Sequence, residues 1–262
     1  MTNLNHAKSW DLIAHDYNTE IISPFIHATY FPLQKVLKAI KNISNFHVAD
    51  FGTGTGILLP KIHQHFKKIT AIDFSSQMLT LAEKRIAALP NLNKNQISFL
   101  KTDLTKKTFS NKNRFDLAFS INSMVEPDAI KSDQIFSNIL SSLKGPKIFI
   151  GVFPAIEAIF EEYHYSYSKL RKQKYSHSKA KQLVDSSLEI ERLDPLLGTY
   201  QADELTQKYF TQEEIDSKLQ RFGINNIVFE KVIYQRQFSF NLKAKTLRNH
   251  PYMWDWFVYA RQ

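Results

Sequence analysis

Residues 48–56 read VADFGTGTG, a short apolar run that ends in Asp50 and is followed by three glycines at alternate positions. Apolar residues extend this run back to Phe46, and apolar side chains at helical spacing occupy residues 57–66. The glycines therefore join a predicted strand to a predicted helix. Glycine lets the backbone turn tightly and lets a ligand approach without a Cβ in its way, and the first N–H groups of a helix bind polar ligand atoms. The stretch predicts a ligand-binding turn of a kind that many nucleotide-binding folds share.

The alternation of strand and helix continues along the chain. Further strands are predicted at residues 69–74, 97–100, 115–120 and 147–153, with Ser75 and Asp128 placed to cap two of the intervening helices. Such alternation implies crossover connections, a parallel sheet and helices on both faces. Thr211 and Glu214 form a capping box, and the two strands that follow, 227–238 and 254–260, are expected to pair antiparallel at one edge.

Acids follow three successive strands of this predicted sheet, at Asp50, Asp73 and Asp103. An acid about 20 residues beyond a glycine-rich turn accepts hydrogen bonds from ribose hydroxyls in dinucleotide-binding folds. Each acid by itself is equally well explained as a helix cap or turn former. Three acids in register with the glycines indicate a ligand crevice at the carboxyl ends of the strands.

The amino-acid composition excludes several classes of protein for this chain. The 262 residues are 43% hydrophobic and 23% charged, which is typical of a soluble globular protein. No apolar run approaches the roughly 20 residues that cross a bilayer, and the N-terminus lacks the apolar centre of a secretory signal, so we expect a cytoplasmic protein without a membrane partner. The absence of cysteine excludes disulfides, thiolate metal sites and cysteine nucleophiles, and no metal site is predicted.

The motifs resemble those of the class I S-adenosylmethionine-dependent methyltransferases. Residues 48–56 are similar to motif I of that family, and residues 72–82, 101–104 and 115–120 resemble the motifs that follow it. Residues 209–224 and the two strands after them resemble its C-terminal half. The resemblance implies a methyltransferase enzyme with S-adenosyl-L-methionine as cofactor. The fold it implies is Rossmann-like α/β, a doubly wound, mostly parallel seven-stranded sheet with an antiparallel C-terminal edge strand.

The resemblance also implies an arrangement of one domain, residues 1–262. Residues 1–45 would form an N-terminal helical cap and residues 46–153 the cofactor-binding core. Residues 154–207, where apolar residues recur at helical spacing, would form a helical insertion or lid, and residues 208–262 would supply a helix and the last two strands.

Roles for individual residues follow from the resemblance. Asp50 and the glycine backbone would hold the amino and carboxyl groups of the cofactor, and Asp73 would bind its ribose. The complete predicted cofactor-binding set is Tyr17, Asp50, Gly52, Thr53, Gly54, Thr55, Gly56, Asp73, Phe74, Met78, Asp103, Leu104, Ser120 and Asn122. A nicotinamide site, the nearest alternative, requires a glycine where Ile57 stands.

The acceptor is the open question at the level of sequence. We favour a small molecule held under the insertion. An RNA or DNA methyltransferase is the first alternative, because residues 163–181 combine six Lys or Arg with interleaved tyrosines; a non-catalytic S-adenosylmethionine-binding protein is the second. A general base is needed only for a protonated nucleophile, and the weak catalytic candidates are Tyr163, His164 and Glu126.

Overall fold

A computed structural model describes residues 23–89, 95–107, 112–202, 205–234 and 253–262. Its first elements are helix α1 (Pro24–His27), strand β1 (Ala28–Tyr30) and helix α2 (Leu33–Ala39). Pro24 occupies the first turn of α1 and Pro32 the N-cap of α2, where the missing N–H of proline is harmless. The predicted helical cap therefore contains a short strand within the described residues.

Five parallel strands form one side of the main sheet. They are β2 (His47–Phe51), β3 (Lys68–Asp73), β4 (Ile97–Lys101), β5 (Leu117–Ile121) and β6 (Ile148–Pro154), and they extend from β6 to the edge strand β4. Helices α3 (Leu59–Ile62), α4 (Ser76–Ala87) and α5 (Ala129–Ser141) lie between them in sequence. The predicted caps are confirmed: the Ser75 hydroxyl accepts from the Met78 N–H at 3.1 Å, and the Asp128 carboxylate accepts from the Lys131 N–H at 2.9 Å.

Two long antiparallel strands complete the sheet, β10 (Asn226–Tyr234) and β11 (Trp254–Arg261). The order is β1-β10-β11-β6-β5-β2-β3-β4. The α/β class is confirmed, but the sheet has eight strands rather than seven, because β1 pairs with β10. The last strand is not at an edge: β11 pairs with β6 on one side and β10 on the other. The part of the predicted strand beyond Tyr234 lies outside the described residues.

The segment between β6 and the last helix carries its own small structure. Helices α6 (Ile156–Lys172) and α7 (His177–Ser187) pack together, and a three-stranded antiparallel sheet follows, with strands β7 (Leu193–Asp194), β8 (Thr199–Ala202) and β9 (Leu205–Lys208). Gly198 lies in the turn between β7 and β8. Helix α8 (Gln212–Gln220) has Thr211 as its N-cap, as the capping box predicts.

The hydrophobic core lies on both faces of the sheet. One apolar cluster packs α2, α3 and α4 against one face, and a second packs α5 and α8 against the other. Central strands buried on both faces read as continuous apolar runs, as Val48 and Ala49 do. The loops at the carboxyl ends of the strands are thereby held on a rigid support. None of the helices in the described ranges is long and apolar enough to cross a membrane.

Candidate functional site

The glycine-rich loop follows β2 and is fastened to the end of β3. The N–H groups of Gly52 and Thr53 both donate to the Ile72 carbonyl, at 2.8 and 2.9 Å. Gly52 and Gly56 have φ values of 70° and 73°, which side chains disfavour. A Cβ on Gly52 would lie 2.2 Å from that of Ser123, and one on Gly56 would lie 2.8 Å from that of Ala82. Both glycines are therefore required by close packing as well as by backbone conformation.

Asp73 ends β3 and is held by backbone donors on two sides. Its Oδ2 accepts from the Gly54 N–H and its Oδ1 from the Ser75 N–H, both at 2.9 Å. The residue is only 7% exposed. Each carboxylate oxygen has two acceptor positions, so a carboxylate oriented in this way can also receive hydroxyl groups of a ligand. The Asp73 carboxylate could therefore bind ribose hydroxyls, because the two backbone N–H groups fix its orientation.

Asp50 lies at the same edge, buried at the end of β2. The Thr53 hydroxyl donates to its Oδ2 at 2.6 Å. Burial raises the pKa of Asp50 to about 7; the Thr53 hydrogen bond opposes this shift and the charge of Asp73 adds to it. A cationic amino group beside Asp50 would favour the ionised carboxylate, so the site fits the amino end of an amino acid.

Ser120 lies near the end of β5 and Asn122 directly follows it, and the neighbouring Ser123 packs against the glycine-rich loop. The hydroxyls of Ser120 and Ser123 lie 2.7 Å apart, and the Ser123 hydroxyl donates to the Phe51 carbonyl at 2.7 Å. Asn122 has a φ of 50°, and its Nδ2 donates to Asp255 Oδ2 at 3.1 Å. The β5 loop and the glycine-rich loop are thus joined at the carboxyl edge.

Asp103 and Leu104 follow β4, farther along the same edge. Asp103 Oδ1 accepts from both the N–H and the hydroxyl of Thr105, at 2.9 and 2.6 Å. The Leu104 carbonyl accepts from Asn138 Nδ2 at 2.7 Å. Asp103 therefore builds a turn, which is the structural alternative for this acid, while its partly exposed carboxylate stays at the edge.

The other predicted cofactor residues have mixed positions. Thr53, Thr55 and Met78 are buried, and Phe74 is half-buried directly after Asp73. Tyr17 lies outside the described residues.

The three weak catalytic candidates take part in local structure or face solvent. The Tyr163 hydroxyl donates to Asp185 at 2.9 Å between α6 and α7. His164 is exposed. Glu126 is 8% exposed, and its Oε1 accepts from the Asp128 N–H at 3.1 Å. The described part of the chain has no group of three His, Asp or Glu placed to hold a metal ion.

Residues that the sequence reasoning missed lie beside Asn122. Asp255 on β11 accepts from the Tyr234 hydroxyl as well as from Asn122. Desolvation raises the pKa of Asp255 to about 6. Burial, and after it the charge of Asp255, raise the pKa of Tyr209. The sequence feature that could have indicated these residues is Asp255 itself, which is the one acid in the apolar and aromatic run of residues 254–260.

Residues 48–145 match the family model described as a methyltransferase domain. This region of the chain is therefore similar to known methyltransferase domains. This match spans β2 to the end of α5 and includes the glycine-rich loop, Asp73, Asp103 and Asn122. It confirms the resemblance seen in the motifs and the prediction of an enzyme of this class. No curated protein matches the sequence.

Solved structures share the fold of this chain at low identity. An S-adenosylmethionine-dependent methyltransferase from Methanosarcina mazei is 17% identical, with a TM-score of 0.57 over 89% of this chain and 98% of that one. A magnesium protoporphyrin IX methyltransferase from Synechocystis PCC 6803, solved with S-adenosylmethionine bound, is 12% identical, with a TM-score of 0.54 over 100% and 86%. A protein from Thermotoga maritima described as a possible histamine N-methyltransferase is 13% identical, with a TM-score of 0.55 over 96% and 97%. These likenesses concern the fold.

Proposed function

We propose that this chain transfers the methyl group of S-adenosylmethionine to a small-molecule acceptor. S-adenosylmethionine is the methyl donor of the class, and its sulfonium supplies an already activated methyl carbon. What remains for the protein is to bind the donor, align the acceptor and exclude water.

The residues at the carboxyl edge suit the parts of the cofactor. Asp73, held by two backbone donors, would receive the ribose hydroxyls. Asp50 and the backbone of the glycine-rich loop would hold the amino acid end, and Asp103 with Leu104 would meet the adenine. Ser120 and Asn122 would then flank the reacting methyl group.

A small acceptor is favoured by the contacts of Tyr163 and Tyr167, two tyrosines of the segment from α6 to β9. Tyr163 and Tyr167 pack in the apolar cluster between α6 and α7, and their hydroxyls contact Asp185 and His177. Rings engaged in this way are not available to stack on nucleic acid bases, which is how aromatics serve in single-strand binding. This is the observation that carries the proposal for a small molecule.

The same segment is joined to the carboxyl edge of the sheet. The Lys208 N–H donates to the Val125 carbonyl at 3.0 Å, and the Phe210 N–H donates to the Pro154 carbonyl at 2.8 Å. These bonds attach the segment near the ends of β5 and β6, where a lid would exclude water and shape an acceptor pocket.

The experiment is calorimetric titration of S-adenosylmethionine and S-adenosylhomocysteine into the wild type, Asp73→Ala and Asp116→Ala. Asp116 is the matched control, because it also binds a backbone N–H, that of His47 at 2.8 Å, but at the opposite end of the sheet. We expect micromolar binding to the wild type and to Asp116→Ala, and a loss of about 100-fold in Asp73→Ala, where charge-assisted hydrogen bonds disappear.

Equal affinity of Asp73→Ala and Asp116→Ala would contradict the ribose role. Absence of binding to the wild type at millimolar ligand would contradict the proposed function as a whole.

A further inference from the structure

Asn122, Asp255 and Tyr234 form a hydrogen-bonded cluster beside the predicted methyl site, and we call it the edge cluster. Asn122 follows β5, Tyr234 ends β10 and Asp255 lies near the start of β11. Because β11 runs antiparallel to β6, its start lies at the carboxyl ends of the parallel strands, where Asp255 pairs with Pro154. Three elements far apart in sequence therefore bring polar side chains to the edge where the cofactor loop lies.

The hydrogen bonds within the edge cluster use its donors, so the groups that remain for a ligand are oxygen acceptors. Asp255 Oδ2 accepts from the Tyr234 hydroxyl and from Asn122 Nδ2, and the Ala155 backbone N–H also donates to Asp255. Asn122 Oδ1 is buried and has no hydrogen-bond partner among the described residues. A buried acceptor without a donor is unfavourable, so a ligand that brings an N–H or O–H would stabilise this arrangement.

Among the described residues, the surroundings of the edge cluster are aromatic and provide no compensating cation. Burial, and after it the nearby charge of Asp255, raise the pKa of the Tyr209 hydroxyl, and the rings of Tyr200 and Tyr209 lie 6.2 Å apart. No Lys or Arg of the described ranges forms an ion pair with Asp255. A carboxylate without a partner cation, bordered by tyrosine rings, suits a cationic group.

We propose that the edge cluster is the acceptor subsite of this methyltransferase and that the acceptor is an amine. This inference rests on the proposed function and adds the substrate class. An amine or ammonium group has two or three N–H donors and can satisfy both Asn122 Oδ1 and Asp255 at once, whereas a hydroxyl has a single hydrogen. A carboxylic acid acceptor would place two anions together.

The reaction at this subsite balances with the groups present. The ammonium form of the acceptor gives one proton to Asp255, which becomes a neutral carboxyl, and the nitrogen lone pair is freed. The nitrogen then forms a bond to the methyl carbon while the carbon–sulfur bond breaks and its electrons remain on sulfur. The positive charge passes from the sulfonium to the methylated amine, and Asp255 releases its proton to solvent after the product leaves.

The test uses S-adenosylhomocysteine-saturated protein titrated with benzylamine, benzyl alcohol and benzoate, which share a ring and differ in the polar group. Variants are Asp255→Asn, which keeps the shape of the side chain, and Asp194→Asn as a control in the β7–β8 turn. We expect benzylamine to bind about tenfold or more tightly than the other two probes and to lose about tenfold or more in Asp255→Asn only.

Three outcomes would overturn the amine subsite: benzylamine that fails to bind at about 10 mM, benzylamine that binds no better than benzyl alcohol or benzoate, or equal binding by Asp255→Asn. These results leave the proposed function standing as long as S-adenosylhomocysteine binds. Failure of S-adenosylhomocysteine to bind the wild type would instead contradict methyl transfer itself.

A second variant keeps the proposal testable if Asp255→Asn does not fold. Tyr234→Phe removes one donor to Asp255 but keeps the ring, so the pKa of Asp255 should rise above its value of about 6. The pH at which benzylamine binding is half lost should rise with it, while S-adenosylhomocysteine affinity stays the same. An unchanged pH midpoint would argue against Asp255 as the group that binds the amine.

Discussion

Asp50 and Asp73 place two carboxyl groups at neighbouring strand ends in a buried site, and only one of them has strong backbone donors. Asp73 accepts from two N–H groups, whereas Asp50 accepts from the Thr53 hydroxyl. The raised pKa of Asp50, to about 7 from an ordinary value of 3.8, follows from burial. Asp50 therefore links the stability of the loop to pH.

The first prediction concerns Asp50→Asn. In the folded state Asp50 keeps its proton up to a pH of about 7, while in the unfolded state it ionises near its ordinary value. The folded state thus binds more protons between pH 4 and 7, and its contribution to stability is lost as pH rises through that window. Asparagine does not ionise. The variant should be more stable than the wild type at pH 8, by an amount on the order of a few kcal/mol, and should lose that advantage at pH 4.

Urea unfolding at the two pH values measures this difference. Asp255 has a raised pKa as well, but it is present in both proteins, so it cancels in the comparison. The same difference in unfolding free energy at pH 4 and pH 8 would contradict a raised pKa for Asp50.

Local pattern predicts the acids and glycines of the cofactor site but not the edge cluster. The glycines, Asp50 and Asp73 lie within 24 residues of each other, at the ends of two successive predicted strands. Asn122 and Asp255 are separated by 133 residues, and nothing in their spacing indicates contact. Their meeting depends on the strand order, which a single sequence does not reveal.

The glycine-rich turn and helix α4 depend on each other through Gly56 and Ala82. A Cβ at residue 56 would lie 2.8 Å from the Ala82 Cβ. Gly223 has nearly the same φ, 74°, but a Cβ there meets nothing closer than 3.7 Å. Comparing the two positions separates backbone strain from steric overlap.

The second prediction is that Gly56→Ala destabilises more than Gly223→Ala. The left-handed conformation alone costs about 1–2 kcal/mol for alanine, and overlap with α4 adds about 1–3 kcal/mol at residue 56. Chemical denaturation measures both variants. Equal losses would show that α4 moves aside freely, and the loop would then not be fixed by this contact.

Helix α6 is attached to the rest of the molecule at its first turn. Glu157 accepts from the Gln212 N–H at 2.8 Å and from the Trp256 indole N–H at 3.1 Å. One turn later, Glu161 accepts from the Trp254 indole at 2.8 Å, but its side chain is 49% exposed. The less exposed attachment is therefore at Glu157.

The third prediction is that Glu157→Ala loosens α6. Two half-buried donors lose their acceptor, which lowers the unfolding free energy by about 2 kcal/mol and increases amide hydrogen exchange over residues 156–172. Glu161→Ala is the control and should have a smaller effect, since water can replace an exposed acceptor. Exchange that changes equally in both variants would contradict the special role of Glu157.

Strand–helix periodicity predicts the long elements and misses the short ones. Strands β2 to β6 are recognisable as apolar runs between helices. Strands β1, β7, β8 and β9 have two to four residues each, too few for a period of two to be visible. They form because neighbouring strands offer backbone partners, which is information about tertiary structure.

Over the whole molecule, the formal net charge of +9 is the feature that keeps the nucleic acid alternative testable. Arg171, Lys172, Lys174 and Lys179 are exposed around the connection between α6 and α7. A surface of this kind binds phosphates without regard to sequence, and such binding weakens steeply with salt.

The fourth prediction is that single-stranded RNA binds only through this charge. At physiological salt we expect a dissociation constant weaker than about 1 µM and a strong salt dependence, with Lys172→Glu together with Lys174→Glu removing most of the binding. Fluorescence anisotropy against salt concentration measures it. Tight binding that survives high salt and is lost in Tyr175→Ala, at an exposed ring, would instead favour the nucleic acid methyltransferase.

The interior position of β11 has a consequence for synthesis. Residues 254–261 supply the strand that fills the space between β6 and β10, so the edge of β6 stays without its partner until more than 250 residues have been translated. An open strand edge is a site of aggregation. We therefore expect nascent chains that are halted before residue 254 to require chaperones on the ribosome. This requirement ends when β11 is synthesised, and β11 also carries Asp255, the proposed amine-binding carboxylate.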